Sequence, residues 1–142
     1  MIDTRSAPHA ALVLRIALGV MFIAHALLKY YVFTLPGTVQ FFHSLGLPPA
    51  LAYLTFWAEL IGGLLILAGV YARWVSLALV PILLGAAWAH SGNGWVFNAP
   101  NGGWEYPVFL AAAAIAQGLL GDGAYALANL RRARKLRQQA YA

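Results

Sequence analysis

Five side chains carry most of the reactive chemistry in this sequence: His25, Lys29, Glu59, His90 and Glu105. They stand out because the residues around them are apolar. His25 and Lys29 lie four residues apart in one long apolar run, so they share a helical face. Glu59 sits near the middle of a second run, His90 closes a third and Glu105 opens a fourth. A charge at mid-membrane costs about 2.5–3.5 kcal/mol on insertion scales, so such a residue marks a functional site by default. Lys29 and Glu59 fit two readings: an ion pair that registers two helices, or a site that holds a ligand or moves a proton. His25 adds a group suited to ligation, proton transfer or plain hydrogen bonding.

Several other chemistries have no support. There is no glycine-rich phosphate loop after a strand and no Gly-x-Ser-x-Gly nucleophile elbow. The absence of cysteine removes disulfides, thiolate metal sites, iron–sulfur ligation and thiol redox chemistry. His25 and His90 are a poor match for a haem-ligating pair. His25, Glu59 and His90 suit a metal by ligand type, but nothing in their spacing calls for one, and no metal site is expected. A redox role therefore needs a bound cofactor or a partner protein.

The elements that position these residues follow from composition. Of 142 residues, 62% are hydrophobic and 9% charged, against about 25% charged in an ordinary soluble domain. Apolar runs at about 10–31, 50–70, 74–90 and 105–120 are apolar on all sides, which suits lipid. The expectation is an all-α membrane protein, a four-transmembrane-helix bundle over residues 10–127. A short segment, 1–9, precedes it and a basic tail, 128–142, follows. The last two runs are short against a usual range of about 17–25 residues. Trp88, Trp95, Trp104 and Tyr106 extend them as an interfacial aromatic belt. Pro81 predicts a kink in the third helix.

Charge sets the expected orientation. Arg5 and Arg15 precede or begin the first run, Arg73 lies in the turn between the second and third, and Arg131, Arg132, Arg134, Lys135 and Arg137 follow the fourth. The segments 32–49 and 91–104 contain no Lys or Arg. The positive-inside rule then places both termini in the cytoplasm and these two loops outside, in a multi-pass arrangement. The net charge of +5 is thus a membrane-flanking feature and implies no nucleic-acid partner. Arg5, Arg15 and the Ala24-His25-Ala26 sequence resemble a signal peptide, but the apolar run continues beyond them, so an uncleaved span is expected.

At about 1.5 Å per residue, His25 lies just outside the midpoint of the first span and Lys29 about 6 Å further out. Glu59 falls near the midplane, so all five residues converge on the outer half. The inner half offers only Gln117. In the first outer loop, residues 38–45 are expected to form two helical turns lying in the interface. Ala58, Gly62 and Gly63 are expected to admit a neighbouring helix beside Glu59, with Gly85 to Ala89 and Ala112 to Ala116 doing the same on the later spans.

Taken as a set, these residues resemble the DoxX family of small bacterial membrane proteins. The likeness rests on Phe22-Ile23-Ala24-His25-Ala26-Leu27-Leu28-Lys29, Ser44-Leu45-Gly46-Leu47-Pro48, Glu59-Leu60-Ile61-Gly62-Gly63 through Gly69 and Arg73, Gly103-Trp104-Glu105-Tyr106-Pro107, and Gly121-Asp122-Gly123-Ala124-Tyr125-Ala126-Leu127. Ala26 stands where the family usually has Gly, and Ala128 where it commonly has Asp. The resemblance implies a four-helix membrane protein associated with quinone-linked sulfur oxidation or oxidative-stress systems. On that expectation the lipophilic cofactor is a quinone. Lys29 and His25 donate hydrogen bonds to it, Glu59 handles the accompanying proton, and Trp57, Trp88 and Trp104 wall the pocket beside His90 and Glu105. The expected partners are the lipid bilayer, a redox protein that supplies electrons and a second copy of the chain. The alternatives are a non-catalytic anchor for redox partners and a small solute or proton pathway.

Overall fold

The computed structural model describes residues 3–130 and residue 139. The basic tail from Arg131 to Arg137 lies outside the described residues. Among the described residues the helices follow in the order α1 (Ala7–Tyr31), α2 (Leu35–Ser44), α3 (Pro49–Ala68), α4 (Ala72–His90) and α5 (Glu105–Leu120), with a 3-10 turn, Ser91–Asn93, after α4. No strand occurs among the described residues. Among the described residues, three helical stretches are long and apolar enough to cross a membrane: Ala7–Tyr31, Pro49–Ala68 and Ala72–Asn93. The fourth apolar helix, α5, has 16 residues and is about 24 Å long.

Proline and glycine set several boundaries. Pro8, Pro36 and Pro49 lie in the first turns of α1, α2 and α3, where a missing N–H costs nothing. Gly69, at φ +69°, ends α3 in the left-handed conformation, and its N–H donates to the Ile66 carbonyl. α2 starts a turn earlier than residues 38–45 because the Thr34 hydroxyl caps the helix, accepting from the Gly37 N–H at 3.2 Å. α4 runs through Pro81 as one continuous helix.

The helices pack around a core of Leu18 and Phe22 from α1, Ile66 from α3, Leu79 and Leu83 from α4, and Leu110, Ala111 and Ala114 from α5. α1 and α3 meet backbone to backbone at Gly19 and Gly63. A Cβ on Gly63 would stand 3.0 Å from the Gly19 carbonyl oxygen and from the Ile23 nitrogen. Its neighbour Gly62 faces the other way, where a Cβ would meet the Leu79 methyls of α4. Gly85 has open space around it, and Ala112 is exposed. The close approach on α5 comes instead from Ala111, Ala114 and Gly118, with Gly118 packed against Leu77.

A prediction follows from this contrast. Gly63→Ala pushes on rigid backbone and should destabilise the protein by about 1–3 kcal/mol. Gly85→Ala pushes on nothing and should be neutral or slightly stabilising through helix propensity. Unfolding of the two variants in detergent measures the difference.

The end of the bundle at the α3–α4 turn is closed by residues 121–128. The Ala124 N–H donates to the Pro8 carbonyl at 2.8 Å, and the Ala128 N–H to the Gly69 carbonyl at 3.2 Å. Arg15 Nη1 donates to the Asp122 carbonyl at 2.6 Å, while the Asp122 carboxylate accepts from the Arg73 N–H. Arg73 Nε donates in turn to the Gly118 carbonyl at 2.9 Å. One short segment therefore ties together the start of α1, the end of α3 and the start of α4. Arg15, which reads in sequence as a flanking charge, is 3% exposed and lies two turns inside α1.

Candidate functional site

The opposite end of the bundle, capped by residues 32–48 and 91–104, holds the candidate residues His25, Lys29, Glu59, His90 and Glu105. Lys29 Nζ of α1 and Glu59 Oε2 of α3 are 2.6 Å apart, with side chains 17% and 7% exposed. The pair exists because α1 and α3 are antiparallel and locked in register at Gly19 and Gly63, ten residues before Lys29 and four after Glu59. A charge-assisted bond this short in an apolar setting is a strong interaction.

His25 lies one turn before Lys29. Its Nδ1 is 2.8 Å from the Met21 carbonyl. A carbonyl can only accept, so Nδ1 carries the proton, and Nε2 of the neutral ring is left as an acceptor. The His25 ring stacks on Tyr106 of α5, with centroids 5.5 Å apart and planes at 20°. The Tyr106 hydroxyl is buried with no hydrogen-bond partner among the described residues. Three helices thus contribute to one polar cluster: His25 and Lys29 from α1, Glu59 from α3 and Tyr106 from α5.

Tyr106 also lines a groove of about 560 Å³ together with Trp95, Phe97, Glu105, Val108, Phe109 and Ala112. Residues 94–105 form the far wall by folding back onto themselves. The Glu105 N–H donates to the Trp95 carbonyl at 3.0 Å, and the Trp95 and Trp104 rings meet edge to face at 4.3 Å. Gly103 makes the fold possible, since a Cβ there would overlap the Trp95 and Val96 carbonyls. The groove is aromatic and aliphatic, with the half-buried Glu105 carboxylate on its rim.

The remaining site candidates lie apart from this cluster. His90 holds the second loop, with Nδ1 donating to the Asn101 carbonyl at 3.1 Å. The Asn93 amide, 3.2 Å from the same nitrogen, donates to the Asn101 and Gly102 carbonyls at 3.1 and 2.9 Å. His90 also stacks on Phe41 of α2, which joins the two loops. Trp57 and Trp88 are 53% and 57% exposed and point away from the helix core. Trp104 belongs to the loop wall through Trp95. Among the described residues, no three His, Asp or Glu side chains come together as metal ligands. Tyr106 was not legible as a site residue, because a tyrosine beginning an apolar helix reads as an interface anchor. Only the stacking on His25 distinguishes it.

A family model, DoxX, matches residues 10–92, from the first turn of α1 through the 3-10 turn after α4. The chain belongs to the DoxX family. The matched region spans the positions of His25, Lys29, Glu59 and His90. The Bacillus subtilis (strain 168) protein named "Putative oxidoreductase CatD" is 41% identical over 75 residues, 53% of this chain and 54% of that protein. The chain thus spans about half the length of this curated relative. No solved structure matches the chain.

Proposed function

We propose that this DoxX protein is the membrane subunit of a quinone-linked redox system in the bacterial inner membrane, receiving electrons from a partner protein. The observation that carries the reading is that Tyr106, which lines an aromatic groove at one end of the bundle, stacks on His25, one turn of α1 before the Lys29 that pairs with Glu59. The Tyr106 hydroxyl is a buried donor with no partner among the described residues, and such groups ordinarily find one. The groove is of the size and apolar character that small-molecule sites have. The residues therefore suit a quinone, which when bound supplies two-electron, two-proton chemistry. Tyr106 and Lys29 are the donors for its polar head. Glu59, held by Lys29, is the group that takes or gives a proton. Val108, Phe109 and Ala112 offer an apolar surface to the rest of the molecule. The relative's name is consistent with redox work.

In this reading α5 is a fourth, short span that packs on α4, and the end bearing Lys29, Glu59 and the two loops faces outward. Arg73 and both termini then lie on the cytoplasmic side. A second reading is favoured by the closed Lys29–Glu59 bond: a scaffold in which the pair only registers α1 on α3 and the bundle recruits a redox partner.

Quinone titration of the full chain in nanodiscs, followed by tryptophan quenching with a short-chain ubiquinone analogue, tests the proposal. Tyr106→Phe should weaken binding by about 5- to 10-fold, the worth of one hydrogen bond. Saturable binding to the native chain that weakens in Tyr106→Phe and Glu59→Gln supports the site. Unchanged affinity in both variants, or no binding to the native chain, overturns it.

A further inference from the structure

A second polar cluster lies at the α3–α4 turn end, in the half of the bundle where Gln117 is the one polar residue expected from sequence. Arg15 of α1 and Gln117 of α5 are buried there, and so is Ser76 of α4, at 3%, 0% and 0% exposure respectively. Their positions coincide by register. Arg15 is three residues before Leu18, Ser76 three before Leu79, and Gln117 three after Ala114. Leu18, Leu79 and Ala114 share one core cluster. α1 and α4 run away from this end and α5 runs toward it, so each polar residue stands one turn below the same apolar layer. Gly69 closes the fourth side, three residues after the core Ile66, with its Cβ direction aimed at Arg15 Nη1.

Each of the three side chains has one buried polar atom with no partner among the described residues: Arg15 Nε, Ser76 Oγ and Gln117 Oε1. Of their other groups, Arg15 Nη1 donates to the Asp122 carbonyl and Gln117 Nε2 to the Gly121 carbonyl at 2.7 Å. Those bonds fix the character of what remains. Arg15 Nε is a donor, Gln117 Oε1 an acceptor, and Ser76 Oγ either. An anion fails against the Gln117 oxygen, and a cation fails against the Arg15 guanidinium. A small neutral molecule that both donates and accepts satisfies all three, and water is the one that buried polar groups of this kind hold.

We propose that Arg15, Ser76 and Gln117 form a buried water-binding site, so that water enters the bundle from the α3–α4 turn end as far as the Leu18–Ile66–Leu79–Ala114 layer. That layer separates the hydrated floor from Glu59, seven residues and about 10 Å along α3 from Ile66. The site is independent of the quinone reading.

Two measurements on the full chain in nanodiscs test it. Synchrotron hydroxyl-radical footprinting labels side chains next to bound water. Leu18 and Leu79 should be oxidised well above Leu83 and Leu110, which lie in the same core away from the polar floor, and the excess should fall in Ser76→Ala/Gln117→Met. Equal protection of all four leucines overturns the proposal. In thermal unfolding, Ser76→Ala should lower the midpoint, because a bridged hydroxyl is lost. A raised or unchanged midpoint means that a dry, unsatisfied hydroxyl has been removed, and it overturns the proposal. A midpoint that follows chloride at constant ionic strength also overturns it, in favour of an anion.

Discussion

Replacing either Lys29 by Met or Glu59 by Gln is expected to lower the unfolding free energy by about 3–5 kcal/mol, because each change strands a partner in an apolar helix contact. The two side chains are 17% and 7% exposed and 2.6 Å apart, so solvent offers little relief. The double variant Lys29→Met/Glu59→Gln should recover most of that loss, since both the desolvation cost and the attraction disappear together. Denaturant unfolding of the four proteins in one detergent gives the coupling directly. Additive losses would mean that the pair does not couple α1 to α3. The cycle also separates the two functional readings. A scaffold with restored stability should again capture its partner, whereas a quinone site without Lys29 and Glu59 should stay inactive at full stability.

Gly69→Ala is expected to cost about 2–4 kcal/mol, from left-handed strain and a backbone clash together. The residue has φ +69°, and a Cβ there would stand 2.7 Å from Ala126 Cα and overlap Arg15 Nη1. Arg15 can swing only by giving up its bond to the Asp122 carbonyl, and Ala126 only by moving the segment that closes this end of the bundle. Loss of stability should therefore come with faster proteolysis within residues 121–128. A Gly69→Ala protein with native stability and unchanged proteolysis would show that this segment is not packed against the α3–α4 turn.

Most of the helical architecture was legible because lipid imposes a simple rule: a backbone that cannot hydrogen-bond to solvent must bond within its own helix. The apolar runs ending near Tyr31, Val70, His90 and Leu120 therefore mark helices directly. Proline and glycine at Pro49 and Gly69 mark where α3 begins and ends. The pairing of Lys29 with Glu59 was legible for a related reason, since two opposite charges at similar depth in adjacent antiparallel helices have few other partners. Gly63 was legible as a packing residue, but its assignment to α1, with Gly62 turned to α4, was not. Two adjacent glycines look alike in sequence, and a 100° step around the helix separates their neighbours.

The sequence by itself determined the class of molecule, the helices, their family and the shared helical face of His25 and Lys29, because hydropathy and spacing along one helix are local properties. Only the tertiary structure decided which residues meet. Tyr106 joins His25 across 81 positions, Trp95 and Phe97 become a wall opposite α5, and His90 becomes a loop anchor. It also turned Arg15 from a flanking charge into a buried one and set it level with Ser76 and Gln117. Those facts depend on helix rotation and register, which arise from close packing of distant residues and leave no periodic trace in the chain.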